Sequence, residues 1–399
     1  MDKQIPTSNI DVFRQHLMSP NKPQEISTQE GQLMKVQKNL VLSYVSDSTG
    51  CGHIRNIFPM TYMNSIFGKT GRFNIVISPH MIFQHDILMR TRAVFFQRTM
   101  NPGHVGAIQA YKDNQKKYGY RMIYDIDDFI WDGPDDGECI PAYNFGGKTI
   151  GADVKASSLQ IMNMMDTVCV STQFLGDYIR DHGVDKAEIK VVHNSVPQYF
   201  WGPQRKRPIQ NRIEKPRVIY TGSPTHYSNQ DRLKGDWDNA WCEWVTKNVK
   251  DNKIEFCCMG GLPFFFQGLE KKPNFHIVNW VNSYQYHLPI KKFRADFGIA
   301  PLVPNYFNYS KSCIKYQEYC SLGILGIGTV FTNGKPSPYE VCQIQVKDTI
   351  TVQGIEEIFE KYCDPTEYNK ILKAQYKQID SSGWWMESNE YIKMLASVL

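Results

Sequence analysis

Short apolar runs alternate with polar, helix-forming stretches from residue 39 to residue 345. Apolar runs bounded by Gly, Pro, Asn or Asp favour strands, and the stretches between them favour helices. The pattern predicts strands at residues 39–45, 73–77, 93–97, 121–128, 168–170, 189–192, 218–220, 254–259, 275–278, 297–303 and 324–330. It predicts helices from residue 54 and at residues 106–118, 159–165, 173–181, 237–249 and 311–321. A repeated strand, helix, strand order is typical of parallel α/β sheets.

The chain is long enough for two hydrophobic cores. Its 399 residues exceed the size at which one core usually stops growing, so we expect two α/β domains. A polar arm with several prolines precedes them, and a stretch rich in Pro and basic residues separates them. The predicted division is an arm at 1–37 with one helix near 10–17, a first domain at 38–197, a linker at 198–216, a second domain at 217–370 and C-terminal helices at 371–399.

One stretch, residues 296–329, contains a complete strand, loop, helix and strand. The apolar run 297–303 predicts a buried strand, and the helix at 311–321 has Ser310 or Ser312 as its N-cap. Ligands of parallel sheets lie outside the carboxyl ends of the strands. We therefore expect the loop between this strand and this helix to face a ligand.

Charged side chains follow that loop. Lys311 and Lys315 add positive charge near a helix N-terminus, whose backbone amides suit a phosphate. Glu318 lies three residues beyond Lys315, on roughly the same helix face. The alternative for Glu318 is a solvated helix residue with no function.

A glycine-rich turn joins the strand at 39–45 to the next helix, with Gly50, Cys51, Gly52 and His53 in sequence. Such a turn lets backbone amides approach a phosphate or a sugar. It is neither a Walker loop nor a GxGxxG motif. His53 is either a substrate contact or a solvated loop side chain.

The strand at 121–128 ends in carboxylates, with Asp127 and Asp128 as its last residues. Paired aspartates can bind a divalent metal through oxygen ligands, orient an acceptor or cap a helix. Residues 132–153 are rich in Gly and Asp and predict a long loop, and long loops are often functional.

Composition restricts the class of protein. Hydrophobic residues make up 42% and charged residues 21% of the chain, as in ordinary globular proteins. The ten Cys show no paired spacing of the kind that binds a metal, and no apolar run approaches a membrane span. We expect a cytoplasmic protein with reduced thiols, no signal peptide and no membrane contact. The net charge of +5 is compatible with a polyanionic partner.

The sequence FNYSKSCIKYQEY, residues 307–319, resembles the nucleotide-sugar signature of retaining GT-B glycosyltransferases of the family-4-like group. That group carries a Glu-x7-Glu pair, whose second Glu holds the ribose hydroxyls and whose first contacts the donor sugar. Glu318 matches the second, and Ser310 stands in place of the first. The resemblance leaves the identity of the sugar open.

The resemblance implies two Rossmann-like domains whose parallel sheets face a central cleft, with the C-terminal helices packed back on the first domain. It also implies a UDP-sugar donor and no metal. The implied donor-binding residues are Gly50, Cys51, Gly52, Gly222, Ser223, Arg232 or Lys234, Ser310, Lys311, Ser312, Lys315 and Glu318. The implied catalytic residues are Asp127, Asp128 and His53, and the acceptor-binding residues are Arg55 and Arg98.

Several motifs, among them GCGHIR and YDIDD, resemble a bacterial and phage branch of this group. T-even-type phages glycosylate 5-hydroxymethylcytosine in their DNA, and the chain resembles that functional class, with its arabinosyl-transferring branch as one option. The resemblance thus implies duplex DNA as a partner of a monomeric enzyme. The alternatives are a transferase acting on a cell-surface or capsular glycan, and a non-catalytic GT-B-like protein that binds nucleic acid.

Overall fold

The computed structural model describes most of the chain. The described residues are 24–27, 33–70, 73–99, 101–129, 152–202, 205–222, 226, 227, 229, 232 and 234–399. Ser223, most of the predicted long loop at 132–153 and the helix predicted near 10–17 lie outside the described residues.

Two antiparallel strands in the predicted arm, β1 (Gln24–Ser27) and β2 (Leu33–Val36), precede the first domain. The sequence analysis did not predict them, because runs of four residues are too short to show a clear period. The sheet of the first domain consists of β3 (Leu40–Tyr44), β4 (Asn74–Ser78), β5 (Thr91–Gln97), β6 (Arg121–Ile126), β7 (Thr167–Val170) and β8 (Glu188–Val191). All neighbours are parallel, in the order β4-β3-β5-β6-β7-β8.

The sheet of the second domain also has six strands, in a different order. It consists of β9 (Arg217–Thr221), β10 (Glu255–Met259), β11 (Phe275–Val278), β12 (Phe297–Ala300), β13 (Leu325–Val330) and β14 (Ile344–Lys347). These strands are also parallel, in the order β11-β10-β9-β12-β13-β14. The prediction of two α/β domains with parallel sheets is confirmed.

Helices cover both faces of each sheet. The α-helices are α1 (Gly50–Gly52), α2 (Phe58–Phe67), α3 (His85–Arg90), α4 (Val105–Tyr118), α5 (Ala152–Asn163), α6 (Gln173–Asp181), α7 (Gln198–Trp201), α8 (Asn239–Lys250), α9 (His287–Phe293), α10 (Tyr306–Ser310), α11 (Ile314–Ser321), α12 (Val352–Tyr362), α13 (Pro365–Ser381) and α14 (Asn389–Val398). A π-helical segment, His53–Ile57, joins α1 to α2. The described part of the chain contains no helix with the length and apolar character needed to cross a bilayer.

The last helix belongs to the core of the first domain. Tyr391, Leu395 and Leu399 are buried in one apolar cluster with Val41 and Phe95 of its sheet. The preceding Trp384 and Trp385 instead pack in a cluster of the second domain. The end of the chain therefore joins the two domains.

The predicted boundaries around residues 304–321 need correction. The structure has a short helix, α10, where a loop was predicted, because Asn305 caps it through a side-chain hydrogen bond from the Asn308 amide at 2.8 Å. The next helix, α11, begins at Ile314 after Cys313, so neither Ser310 nor Ser312 is its N-cap.

Two glycines, one on β12 and one on β13, allow α11 to lie close to the sheet. A Cβ on Gly326 would stand 2.4 Å from the Tyr316 ring, and one on Gly298 would stand 2.6 Å from the Tyr319 ring. Both tyrosines are buried against the sheet. The glycines therefore determine the distance between the sheet and α11, the helix that contains Lys315.

We predict that Gly326→Ala destabilises the protein by about 1–3 kcal/mol, the usual effect of overpacking a core. The added methyl group must displace the Tyr316 ring or lift α11 from the sheet. Urea unfolding followed by circular dichroism measures the change.

Gly106→Ala is the matched control. Gly106 lies in α4, and a Cβ there would meet nothing within 4 Å. This substitution should leave stability unchanged or raise it by up to about 1 kcal/mol, because Ala favours a helix. Equal stability of the two variants would show that α11 does not depend on close approach.

Candidate functional site

The order of strands places one crevice in each domain. In the first sheet the order reverses between β3 and β5, and in the second between β9 and β12. Ligands of open parallel sheets bind outside the carboxyl ends of strands at such a reversal. The loops that follow these four strands begin at residues 45, 98, 222 and 301, and they include most of the predicted site.

Hydrogen bonds bring the two crevices together. The Ser310 Oγ accepts from the Phe129 amide at 3.1 Å, and the Ser310 carbonyl accepts from the Thr172 hydroxyl at 2.8 Å. The Ser312 Oγ accepts from the Asn194 side chain at 2.7 Å. Both serines were predicted to bind the donor, and the structure uses their polar groups to hold the second domain against the first.

A buried arginine supports this contact from the first domain. Arg55 donates to both carboxylate oxygens of Asp125, at 2.9 and 2.5 Å, and to the Asn194 side chain at 2.9 Å. A further hydrogen bond reaches the Val192 carbonyl. The Arg55 side chain is 1% exposed and forms an interior ion pair, and its predicted role in acceptor binding stays a prediction.

Asn194 lies in the loop after β8, and Asn is common in turns because it tolerates a left-handed backbone. Its backbone is not left-handed; the side chain instead bonds to Arg55 and Ser312, and its carbonyl accepts from Gln317 of α11 at 3.0 Å. The residue thus connects the interior of the first domain to α11.

A polar cluster fills the crevice of the second domain. His226 Nδ1 lies 2.5 Å from an Asp236 oxygen and 3.3 Å from Lys311 Nζ. Asn308 donates to the other Asp236 oxygen at 2.6 Å, and Lys311 Nζ lies 4.0 Å from Asp236. Lys315 Nζ lies 4.7 Å from the centre of the Tyr220 ring. One buried carboxylate therefore faces two lysines.

Burial controls the charges in this cluster. Burial, followed by the charges of Lys311 and Lys315, lowers the pKa of His226 to about 4, so the ring is neutral at pH 7. Burial and then the Lys311 charge lower the pKa of Lys315 to about 7. Burial also lowers the pKa of Lys311, although Asp236 opposes the shift. An added anion would raise the pKa of both lysines and so favour their charged forms.

Glu318 lies next to this cluster and is buried, which excludes the solvated helix residue. Burial raises the pKa of Glu318 to about 8, against the opposing charge of Lys315. Within the described part of the chain, no hydrogen bond or close ion pair reaches its carboxylate. A buried carboxyl group of this kind is suited to hydroxyl groups of a ligand.

Carboxylates and a thiol fill the opposite crevice. Ligand atoms of Cys51, Asp127 and Asp128 all lie within 4.8 Å of one another, close enough to hold a cation together. Cys51 Sγ is 3.6 Å from an Asp128 oxygen. Burial and then the Asp128 charge raise the pKa of Asp127 above its ordinary value, and Asp127 Oδ1 is buried without a hydrogen-bond partner among the described residues. Asp127 can therefore carry a proton near neutral pH.

Arg98 lies beside these carboxylates. One guanidinium nitrogen is 3.8 Å from an Asp128 oxygen. Its backbone is left-handed, with φ of 51°, and its amide donates to the Asp125 carbonyl at 2.8 Å. Such strain in a residue other than Gly costs about 1–3 kcal/mol and tends to occur at functional sites. The predicted pairing of Arg98 with an acceptor stays a prediction.

Charged groups of the first crevice interact with charged groups of the second. The charge of Asp128, on the first domain, acts on the pKa of Lys311, on the second. His53 also contacts the second domain: the centre of its ring lies 5.1 Å from the centre of the Tyr284 ring. It is buried in the π-helical segment rather than solvated in a loop, and its Nδ1 is 2.8 Å from the Thr49 carbonyl.

The predicted glycine turn lies in α1. Asp47 accepts hydrogen bonds from the amides of Thr49 and Gly52, at 2.8 and 3.2 Å. A Cβ on Gly52 would stand 1.9 Å from the Asp47 carbonyl oxygen, whereas one on Gly50 would meet nothing within 4 Å. Gly52 is thus required by the turn itself, and donor binding by these glycines stays a prediction.

Three other residues predicted to bind the donor contact protein groups of the second domain. The Gly222 amide donates to the Met259 carbonyl at 3.0 Å. The Arg232 guanidinium lies 5.4 Å from the Phe264 ring centre, and Lys234 donates to the Asn239 side chain. None of these observations selects between Arg232 and Lys234.

Sequence reasoning missed Asp236, Asn308 and the role of His226. Asp236 stands in a short polar stretch without a recognisable motif, and only the fold brings it to Lys311.

No family model matches the chain. No curated protein matches it either. Among solved structures, HepE of Anabaena in complex with UDP and glucose has a TM-score of 0.56 and 9% identity, covering 90% of this chain and 99% of that chain. Sucrose-phosphate synthase from Thermosynechococcus elongatus has a TM-score of 0.55 and 8% identity, covering 91% of this chain and 100% of that chain. The shared architecture is the GT-B fold, and the predicted fold class is confirmed.

We predict that Asn194→Ala destabilises the protein by about 1–3 kcal/mol, because Arg55 and Ser312 each lose a buried partner. Urea unfolding measures the difference. Asn114→Ala is the control, since its side chain bonds to Ala110 of its own helix, and it should change stability by less than about 0.5 kcal/mol. Equal effects of both substitutions would contradict a special role for Asn194.

Proposed function

We propose that the protein is a glycosyltransferase that uses a UDP-sugar and transfers the sugar to 5-hydroxymethylcytosine in DNA. The observation that carries the proposal is the interaction of Lys311 with Asp128 across one cleft of a GT-B fold, with Lys315 and Glu318 beside Lys311 and Asp127 beside Asp128. Solved structures of HepE, which share this fold, contain UDP with glucose and UDP-glucose.

The donor half of the reaction belongs to the second domain. The diphosphate of the donor would lie against Lys311 and Lys315, whose lowered pKa values rise when an anion arrives. Glu318 would accept hydrogen bonds from the ribose hydroxyls. Positive charge placed where the diphosphate leaves stabilises the transition state, which is usually the largest single contribution to such catalysis.

The acceptor half belongs to the first domain. Asp127 holds or takes a proton near neutral pH, and Arg98 balances the charge of Asp128. In a retaining reaction the departing phosphate takes the proton of the acceptor hydroxyl, so we assign no protein nucleophile. Asp127 and Asp128 would orient the acceptor.

DNA is proposed as the acceptor for two reasons. The motifs of the chain resemble those of phage enzymes that glycosylate 5-hydroxymethylcytosine, and the net charge of +5 suits a polyanion. The hydroxymethyl group projects into the major groove, so flipping of the base is not required to reach it. A glycan acceptor is the alternative that the assay below separates.

A transfer assay tests the proposal. Purified protein is incubated with hydroxymethylated or unmodified duplex DNA and a panel of UDP-sugars, and the digested nucleosides are analysed by mass spectrometry. We expect a pentose or hexose mass added to hydroxymethylcytosine alone, with the productive donor identifying the sugar.

Other outcomes of the assay contradict parts of the proposal. Hydrolysis of UDP-sugar without transfer would favour a glycan acceptor, and neither activity would favour a binding protein. Transfer should persist in EDTA. If EDTA abolishes transfer and Mn²⁺ restores it, Cys51, Asp127 and Asp128 hold a required cation.

We predict that Glu318→Ala raises the dissociation constant for UDP about tenfold or more, as expected when hydrogen bonds to a buried side chain are lost and the ribose hydroxyls stay unpaired. Isothermal titration calorimetry with UDP measures this change. Unaltered UDP binding would remove Glu318 from the donor site.

Glu357→Ala is the matched control for this titration. Glu357 is exposed on α12, and its carboxylate accepts a hydrogen bond from Gln353 of the same helix. The control should bind UDP like the unchanged protein. If both variants lose affinity equally, the loss reflects general damage rather than a ribose contact.

A further inference from the structure

A second cavity lies at the opposite edge of the second sheet. Its volume is about 350 Å³, which is at the lower end of the range for small-molecule sites. Arg294 lies three residues before β12, and Leu322 and Ile324 lie three residues and one residue before β13, so the cavity is at the amino-terminal ends of these strands. The donor cleft is at their carboxyl ends.

Cationic side chains surround this cavity. Four of its lining residues are basic: Arg205, Lys206, Lys291 and Arg294. The apolar side chains of Ile290, Leu322 and Ile324 complete the lining. The cavity therefore combines an apolar surface with a positive rim.

Few acidic groups balance this charge. Arg205 pairs with Asp380, and the Asp296 charge acts on Lys206. Lys206 and Lys291 donate to the backbone carbonyls of Ala295 and Phe200 rather than to carboxylates.

Arg294 is the most available of the four cations. It is exposed, and no hydrogen bond or ion pair to it occurs within the described ranges. Its backbone is left-handed, with φ of 54°, at the end of α9. A bound anion could therefore take this side chain as a ligand without breaking an existing contact.

We propose that this cavity binds a small organic phosphate. Arg and Lys side chains bind phosphoryl oxygens, and the apolar surface accommodates the organic part of the ligand. The ligand would connect the linker, at residues 205–206, to α9 and to the turn that follows α11. This site is independent of the proposed transferase function.

Pyridoxal 5′-phosphate is a suitable probe because it carries a phosphate and an aldehyde. An unprotonated lysine amine attacks the aldehyde, water leaves, and an imine forms; borohydride then delivers hydride and leaves a stable secondary amine. Burial lowers the pKa of Lys206 to about 8, so at pH 8 a large fraction of this amine is unprotonated. Peptide mass spectrometry locates the label.

We expect labelling of Lys206 at low probe concentration, with glucose 6-phosphate competing. Arg294→Gln should raise the concentration for half-labelling of Lys206 about tenfold, as one charge-assisted hydrogen bond is lost. Lys292→Gln, an exposed neighbour in α9 that does not line the cavity, should have no effect. Excess UDP should protect Lys311 and Lys315 from the probe and leave Lys206 labelling unchanged.

Two results would overturn the proposal. One is labelling of Lys206 that needs the same probe concentration as exposed Lys292, and the other is labelling that Arg294→Gln does not change. Protection of Lys206 by UDP would assign the cavity to the donor rather than to a separate phosphate. Failure of UDP to protect Lys311 and Lys315 counts against the transferase proposal alone.

Discussion

A chain of buried hydrogen bonds determines how the two halves of the cleft meet. It runs from Asp125 through Arg55 to Asn194, and from there to Ser312 and Gln317 of the second domain. A buried guanidinium is stable only when its donors are satisfied, so each partner constrains the next. The relative position of the two sheets at the cleft depends on this chain.

The cleft divides its charges between the domains. Carboxylates and a thiol, from Asp127, Asp128 and Cys51, belong to the first domain, and two lysines, Lys311 and Lys315, belong to the second. Burial lowers the pKa of both lysines and raises the pKa of Asp127 above the usual value for an aspartate. In the proposed function, the second half takes the diphosphate of the donor, and Asp127 of the first half exchanges a proton.

Much of the fold was predictable because strand and helix patterns are local. The helix Gln173–Asp181 and the strand Phe275–Val278 match the predicted bounds, since a polar cap or a clear apolar run marks each end. The helix Tyr306–Ser310 was not predicted, because its start depends on the Asn305 cap within a stretch that reads as a loop. The two strands of the arm were not predicted because runs of four residues are too short to show a clear period.

The sequence by itself determined the two parallel α/β domains and identified Lys311, Lys315 and Glu318 as site candidates, because spacing along one helix is a local property. Tertiary structure alone decided that Arg55 and Ser310 serve the interior. It also brought Asp236, 75 residues before Lys311 in the chain, into the lysine cluster. Burial and long-range pairing set these roles, and neither leaves a periodic trace in the sequence.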